Sequence, residues 1–451
     1  MFLPYKNSSS VMLSIDNLEL PIAATEDGIY VFDSSGKRYL DASSGAGVSG
    51  VGHNNIEVTN TIIRQLNKLS YVHRRFFRNE ATEDLARYLM GLLPSDDFGY
   101  AYFVSSGSEA NEAALKLANQ YFIERGEKER KYFIARKRGY HGCTIGALSV
   151  TGDVNRREPF QNMMGNNFTF ISPCYAYRYQ KDMETEEEYG LRSANELEQT
   201  ILKIGEKNIA AFICETVVGS MLGAVCAAKG YFKRIREICD KYGILLILDE
   251  VMCGCGRTGA RFAFEHEKII PDIITLAKGL GGGYVPIGAM LASKKIYDTV
   301  RGGSGEFRHV SSFANHPLAA TAALAVQSYI SNNNLVANAQ KVGGELLLRL
   351  KNSLSGHQFV GDVRGRGLLL GIEIVQDKAT KKPFATDLKL AYKIKTNGQE
   401  NGILCYPIDG TIDGTSGTHI LLAPPLILEE KHLNEIVDKI CVTLERVFYK
   451  I

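Results

Sequence analysis

Two short apolar runs each end in a residue that could do chemistry. Ile244 to Leu248 is continuously apolar and stops at Asp249, and Ile273 to Ala277 stops at Lys278, followed by Gly279, Gly281, Gly282 and Gly283. Runs of this length and type suit strands buried on both faces of a parallel sheet. In such sheets the C-terminal strand ends point into the crevice that binds ligands. A lysine among apolar residues and glycines loses solvation, and with it proton affinity. An imine-forming lysine needs that loss. A carboxylate in the same crevice can hold a pyridinium. The pair is therefore the one expected around pyridoxal phosphate (PLP). Taken alone, an Asp and a Lys are more often a surface salt bridge and a solvated chain, since charges mostly lie outside.

The other groups such a cofactor needs are also in the chain. Ala101 to Val104 reads as a strand, and Ser105-Ser-Gly-Ser-Glu-Ala-Asn111 turns it into a helix running through Leu117. Small residues at a helix start leave N–H groups free beside the positive end of the helix dipole, which suits a phosphate. Ser106, Gly107 and Ser108 are nearest, although an ordinary N-cap reads the same way. The Gly-Lys-Ser/Thr end of a P-loop is missing. Tyr132 to Ala135 is a strand leading to Gly139-Tyr-His-Gly142. There Tyr140 could stack on a planar ring, unless it and His141 are structural. Ile209 to Cys214 is a buried strand ending in Glu215.

These pieces need a scaffold. Strands and helices alternate from about 100 to 290, as in a mostly parallel α/β sheet. Ahead of it, Gly28–Asp33 and Arg38–Asp41 flank the turn Ser34-Ser-Gly36 as a hairpin, and Gly45–Gly50 reads as a glycine-rich segment of mobile backbone, a connecting loop or the lining of a cleft. Helical spacing covers Val58–Leu69 and Glu80–Leu93, with the aromatic and basic loop Tyr71–Arg78 between them. Residues 160–190 carry aromatic and polar residues with a solvated charged end, Lys181–Glu188. Gly219–Gly230 is a loop and Tyr231–Tyr242 an amphipathic helix. Helices Leu318–Ile330 and Val336–Leu354 follow. Val363–Glu373 reads as one strand with a glycine-rich start, and 374–388 as a surface loop. Gly402–Tyr406, His419–Ala423 and Glu429–Val447 complete a smaller α+β unit paired with the N-terminal lead.

Composition narrows the function. The 451 residues carry 52 Lys and Arg against 50 Asp and Glu, so nothing calls for nucleic acid. No apolar run is long enough to span a membrane, and the first ten residues lack the pattern of a secretory signal. The nine cysteines are scattered, which fits free thiols in a reducing cytoplasm. Cys253 and Cys255 have no second pair at zinc spacing, so no metal is expected.

Taken in order, the segments resemble the class III aminotransferases, the ornithine, 4-aminobutyrate and ω-amino acid group of PLP fold type I. The matching stretches are Tyr39-Leu-Asp41 with Gly52-His53, Ser105–Asn111, Tyr140-His-Gly142, Leu248–Val251 with Gly254–Gly259, Leu276–Leu280 with Gly282-Gly283, Arg364–Leu368 and Ala423–Leu426. They span about 25 to 445. The resemblance implies a large domain over 61–332 and a small α+β domain built from 1–60 and 333–451. It implies that Lys278 forms the imine and shuttles a proton, that Asp249 keeps the pyridine nitrogen protonated, and that Val251 and Tyr140 sandwich the ring. Gly107 and Ser108 match the phosphate loop, Glu215 matches a glutamate near the cofactor, and Ser312 matches a hydroxyl that serves the partner subunit's phosphate. A homodimer with shared sites follows. The activity implied is ping-pong transfer of an amino group from an amine or amino acid to a keto acid. A racemase, a lyase and a non-catalytic PLP-fold binding protein are the rivals.

Two positions depart from the family. Ser220 stands where some members have a second glutamate, and Leu421 where many have an arginine that binds a substrate carboxylate. One of Arg74, Arg75, Arg78 or Arg308 is therefore expected to face the pocket, and the donor's far end to meet an apolar wall near Leu421.

Overall fold

The computed structural model describes residues 20–449. The N-terminal stretch read above for a signal lies outside them. At the centre is a seven-stranded sheet in the order Phe98–Val104, Gly288–Ser293, Ile273–Leu276, Leu245–Asp249, Ile209–Glu215, Tyr132–Arg136, Phe168–Ile171. Only Gly288–Ser293 runs against the others. Every residue of Leu245–Asp249 and of Ile209–Glu215 is buried, as the unbroken apolar runs require. Because these strands are parallel and in register, Asp249 pairs with both Glu215 and Thr275. The chemistry-bearing strand ends therefore share one edge of the sheet.

Two four-stranded sheets lie beyond. The hairpin Tyr30–Asp33/Arg38–Asp41 gains the strand Ala23–Asp27 on one side and pairs in parallel with Ile403–Leu404 on the other. That pairing joins the two ends of the chain. Val360–Arg366, Leu369–Ile374, Thr418–Leu422 and Tyr406–Asp409 form the second sheet. One apolar core runs from Leu85 to Ala323 around the large sheet. Another joins Ile29, Leu40 and Val58 to residues of 326–447. No helix among the described residues is long and apolar enough to cross a membrane.

Three sequence readings need correction. Val363–Glu373 is two strands of a hairpin, turning where Gly367 takes φ +56°. Residues 160–190 contain the edge strand Phe168–Ile171 and the start of the helix Glu186–Ile204. That helix opens with a capping box between Thr185 and Glu188 and buries Tyr189, Ala194, Leu197 and Ile201. The charged end of 160–190 thus supplies an acidic first turn that complements the helix dipole. The helices Lys294–Gly302 and Leu390–Glu400 are further elements. The segment Gly45–Gly50 is no free loop: Ser44 to Gly47 form a left-handed turn, with φ of 47, 59, 68 and 81°. Asp41 Oδ1 accepts the N–H groups of Ser43 and Ser44 and fixes where it starts.

Candidate active site

A cavity of about 420 Å³ opens at the sheet edge, lined by Ser105 to Ser108, Asn111, Tyr140 to Gly142, Glu215, Asp249, Val251, Met252 and Lys278, with Val48, Gly219, Ser220 and Val285 to Ile287 at its margins. Asp249 is 3% exposed. Its Oδ1 accepts the Val251 N–H at 2.9 Å, and its Oδ2 lies 2.8 Å from both Asn111 Nδ2 and His141 Nδ1. Asn111 also donates to the His141 carbonyl and accepts from the Thr275 hydroxyl. The helix, the His141 turn and two strands thus fix one carboxylate. Lys278 is partly buried, and burial lowers its ammonium pKa below the ordinary value, with the Asp249 charge opposing the shift. Its φ is +45°, left-handed for a residue with a side chain.

Glu215 is also buried. Its Oε1 accepts the Tyr140 N–H at 3.1 Å, and its Oε2 lies 3.7 Å from the guanidinium of fully buried Arg136. Arg136 donates to the Glu215 carbonyl as well. At the helix Gly107–Glu124, the Ser106 hydroxyl accepts the Glu109 N–H at 3.2 Å. Ser106 therefore caps the helix, and the N–H groups of Gly107 and Ser108 remain at its start, where helix geometry supplies no acceptor. A Cβ at Gly107 would lie 2.8 Å from Val251 Cγ1, so only glycine lets the backbone pass so close to the wall.

These residues fit PLP. The open helix start suits its phosphate and the buried carboxylate its ring nitrogen. The amine of lowered proton affinity suits its aldehyde. His141 Nε2 and Glu215 Oε2 are buried without hydrogen-bond partners inside the chain.

Other expected residues lie elsewhere. Ser312 is exposed and does not line the cavity of its own chain; Tyr71 donates to its carbonyl. Arg74, Arg75 and Arg308 line a separate cavity, and Arg78 is paired with Glu83 on the surface. None of the four reaches the cavity of its own chain, because the Tyr71–Arg78 loop packs on the 309–315 segment instead. Leu421 is 0% exposed, packed with Val217, Ala224, Met252, Cys253 and Leu369. Met252 faces the cavity and Leu421 stands behind it. Leu421→Arg should therefore cost about 3–5 kcal/mol of stability, as an uncompensated buried charge does. Denaturant unfolding checks this: a variant as stable as the wild type would mean that the side chain reaches open space. Asn111, Thr275 and Arg136 were not assigned from the sequence. A signal for Asn111 was present, since Gly107 and Asn111 are four apart on one helix face.

A mostly parallel sheet with this arrangement at its edge defines a PLP enzyme of fold type I. The Aminotransferase class-III profile matches residues 15–444. An uncharacterized aminotransferase of Schizosaccharomyces pombe is 43% identical over 94% of this chain and 92% of its own. An amine transaminase from an uncultivated Pseudomonas species, solved in its PLP-bound form, superposes with a TM-score of 0.91 at 32% identity, covering 98% of this chain and all of that one. An (S)-enantioselective ω-transaminase from Thermomicrobium roseum superposes at 0.89 with 35% identity, over 95% and 93% of the two chains. The chain belongs to the class III aminotransferases and is a PLP-dependent transaminase.

Proposed function

We propose that Lys278 and Asp249 carry the amino transfer, between an amine or amino acid donor and a keto acid. The observation behind this is that both line one cavity with Gly107, Ser108, Tyr140 and Val251. When bound, PLP supplies a conjugated pyridinium ring that takes up the electron pair left as the substrate Cα loses its proton. Lys278 holds the cofactor's aldehyde carbon between turnovers and then, as a free amine, moves the Cα proton. Asp249 holds the proton at the ring nitrogen. Val251 and Tyr140 keep the ring flat between them, and the start of the Gly107–Glu124 helix binds the phosphate. Glu215, backed by Arg136, fixes the Tyr140 backbone. His141 orients Asp249. Borohydride reduction of the holoenzyme tests the central assignment: the cofactor should be fixed to the peptide containing Lys278, and label on any other lysine would refute it.

The enzyme works as a homodimer in this reading, with Ser312 serving the partner's phosphate. Its exposure and its distance from its own cavity support that role. Two inactive variants, one at Lys278 and one Ser312→Ala, should regain activity on subunit exchange, because one of the two sites in the mixed dimer is then whole. No gain after demonstrated exchange would mean that each site is built within one chain. The two apolar cores support dividing the chain into a large domain over 61–332 and a small one from 1–60 and 333–451. Nine free cysteines support a reducing compartment, read as the cytoplasm.

A further inference from the structure

A keto acid brings a carboxylate into a cavity whose only cationic lining residue, among the described residues, is Lys278. Lys278 is committed to the cofactor and the proton, and a carboxylate buried without a counter-charge is costly. The nearby arginines are mostly spoken for. Arg136 is 1% exposed and turned onto Glu215. Arg257 is 3% exposed and donates to the Leu368 and Pro424 carbonyls. Arg138 is 5% exposed, against Asp153 and the Met221 carbonyl.

Arg156 differs from these. Its guanidinium carbon lies 5.2 Å from the centroid of the Tyr140 ring, which forms the cavity wall. Its side chain is 52% exposed, and its one ion pair is from Nε to Asp153 Oδ2 at 3.3 Å. Asp153 is shared with Arg138, at 3.1 Å from the other oxygen, so one carboxylate faces two guanidiniums and leaves positive charge over. The terminal nitrogens of Arg156 make no hydrogen bond among the described residues. The helix that carries it, Val154–Arg157, is tied by Asn155 to the Gly414 carbonyl of the small domain. That tie holds Arg156 where the two domains meet above Tyr140. Arg156 does not itself line the cavity, but a guanidinium over that ring can offer both terminal nitrogens to a carboxylate that reaches past Tyr140.

We propose that Arg156 is the specificity-determining cation for the acceptor, pairing with the keto-acid carboxylate beside Tyr140. The inference rests on the cavity being the amino-transfer site. Arg156→Gln keeps a polar side chain of similar reach and removes the charge. With the holoenzyme, the KM for pyruvate should rise roughly ten-fold or more while kcat changes little. The KM for a neutral acceptor, butanal, should stay within about two-fold by the same reasoning. Arg156→Lys should recover part of the loss. Propionate, which carries the carboxylate but cannot react, gives a readout without turnover: its calorimetric Kd should weaken with Arg156→Gln by a factor similar to that for pyruvate. Unchanged pyruvate KM and propionate Kd in Arg156→Gln would overturn the proposal. So would an equal rise in KM for both acceptors. In either case continued amino transfer to butanal would leave the site itself standing, whereas label elsewhere than Lys278 after borohydride would remove the site.

Discussion

Lys278→Ala should abolish turnover, with kcat lower by roughly 10⁴ or more. In the proposed role the side chain does two things that no neighbour can do in its place. It must bond reversibly to the cofactor's carbonyl carbon, and it must move a proton at the substrate's Cα. Both need a neutral amine. Burial lowers the proton affinity of Lys278 and the Asp249 charge raises it, with burial the larger effect. The unprotonated amine is thus more available at neutral pH than on a solvated lysine. The left-handed backbone at Lys278, with φ +45°, belongs to a short turn in which Leu280 and Gly281 close back on Ala277 and Lys278. That turn aims the side chain back toward the strand end. Since the helix start at Gly107 and Ser108 is untouched by the change, Lys278→Ala should still bind PLP non-covalently. Equilibrium dialysis would show the retained binding, and steady-state assays the loss. Wild-type turnover in the variant would end the assignment.

Lys278 and Asp249 could be found in the sequence because each closes an unbroken apolar run, and a parallel sheet buried on both faces leaves little else such a run can be. Five of the seven central strands are legible on that ground or on a turn that follows; the edge strand Phe168–Ile171 and the antiparallel Gly288–Ser293 are not. Gly288-Ala-Met-Leu-Ala-Ser293 is buried throughout, yet it is short, small-residued and preceded by glycines, so nothing local separates it from a loop. The helix Glu186–Ile204 was hidden for the opposite reason: its polar face outweighs a narrow apolar stripe. Tertiary placement was the least legible. At Leu421 the resemblance leads one to expect a substrate-binding position, but its strand turns the side chain into the core behind Met252. Composition places the arginines of the Tyr71–Arg78 loop at a pocket, whereas their loop packs on 309–315. The relation of Arg156 to Tyr140 depends on how the chain folds back between 140 and 156, which no periodicity records.

Asp249→Asn should slow the chemical step by several orders of magnitude, roughly 10³ or more, while the fold survives. The carboxylate accepts three hydrogen bonds, from the Val251 N–H, the Asn111 amide and His141 Nδ1. An amide at this position has one oxygen and one NH₂. Turned either way, it sets a donor against a donor, facing the Val251 N–H in one orientation and the Asn111 amide in the other. Moving the His141 proton to Nε2 does not help, because that atom is buried without a partner. A structural cost of about 1–3 kcal/mol follows, to be read from denaturant unfolding of the apoenzyme. The catalytic cost is separate and larger. An amide carries no charge with which to keep a pyridine nitrogen protonated at neutral pH, and an unprotonated ring is a poor electron sink. Single-turnover kinetics with excess donor isolates that step. Loading the variant with an N1-methylated cofactor analogue separates the two costs: its ring is permanently cationic, so it should recover part of the lost rate without repairing the hydrogen bonds. Near-normal single-turnover rates in Asp249→Asn would dismiss the role given to Asp249. A slow variant that gains nothing from the methylated analogue would assign the loss to the broken donor network around Asn111 and His141 instead.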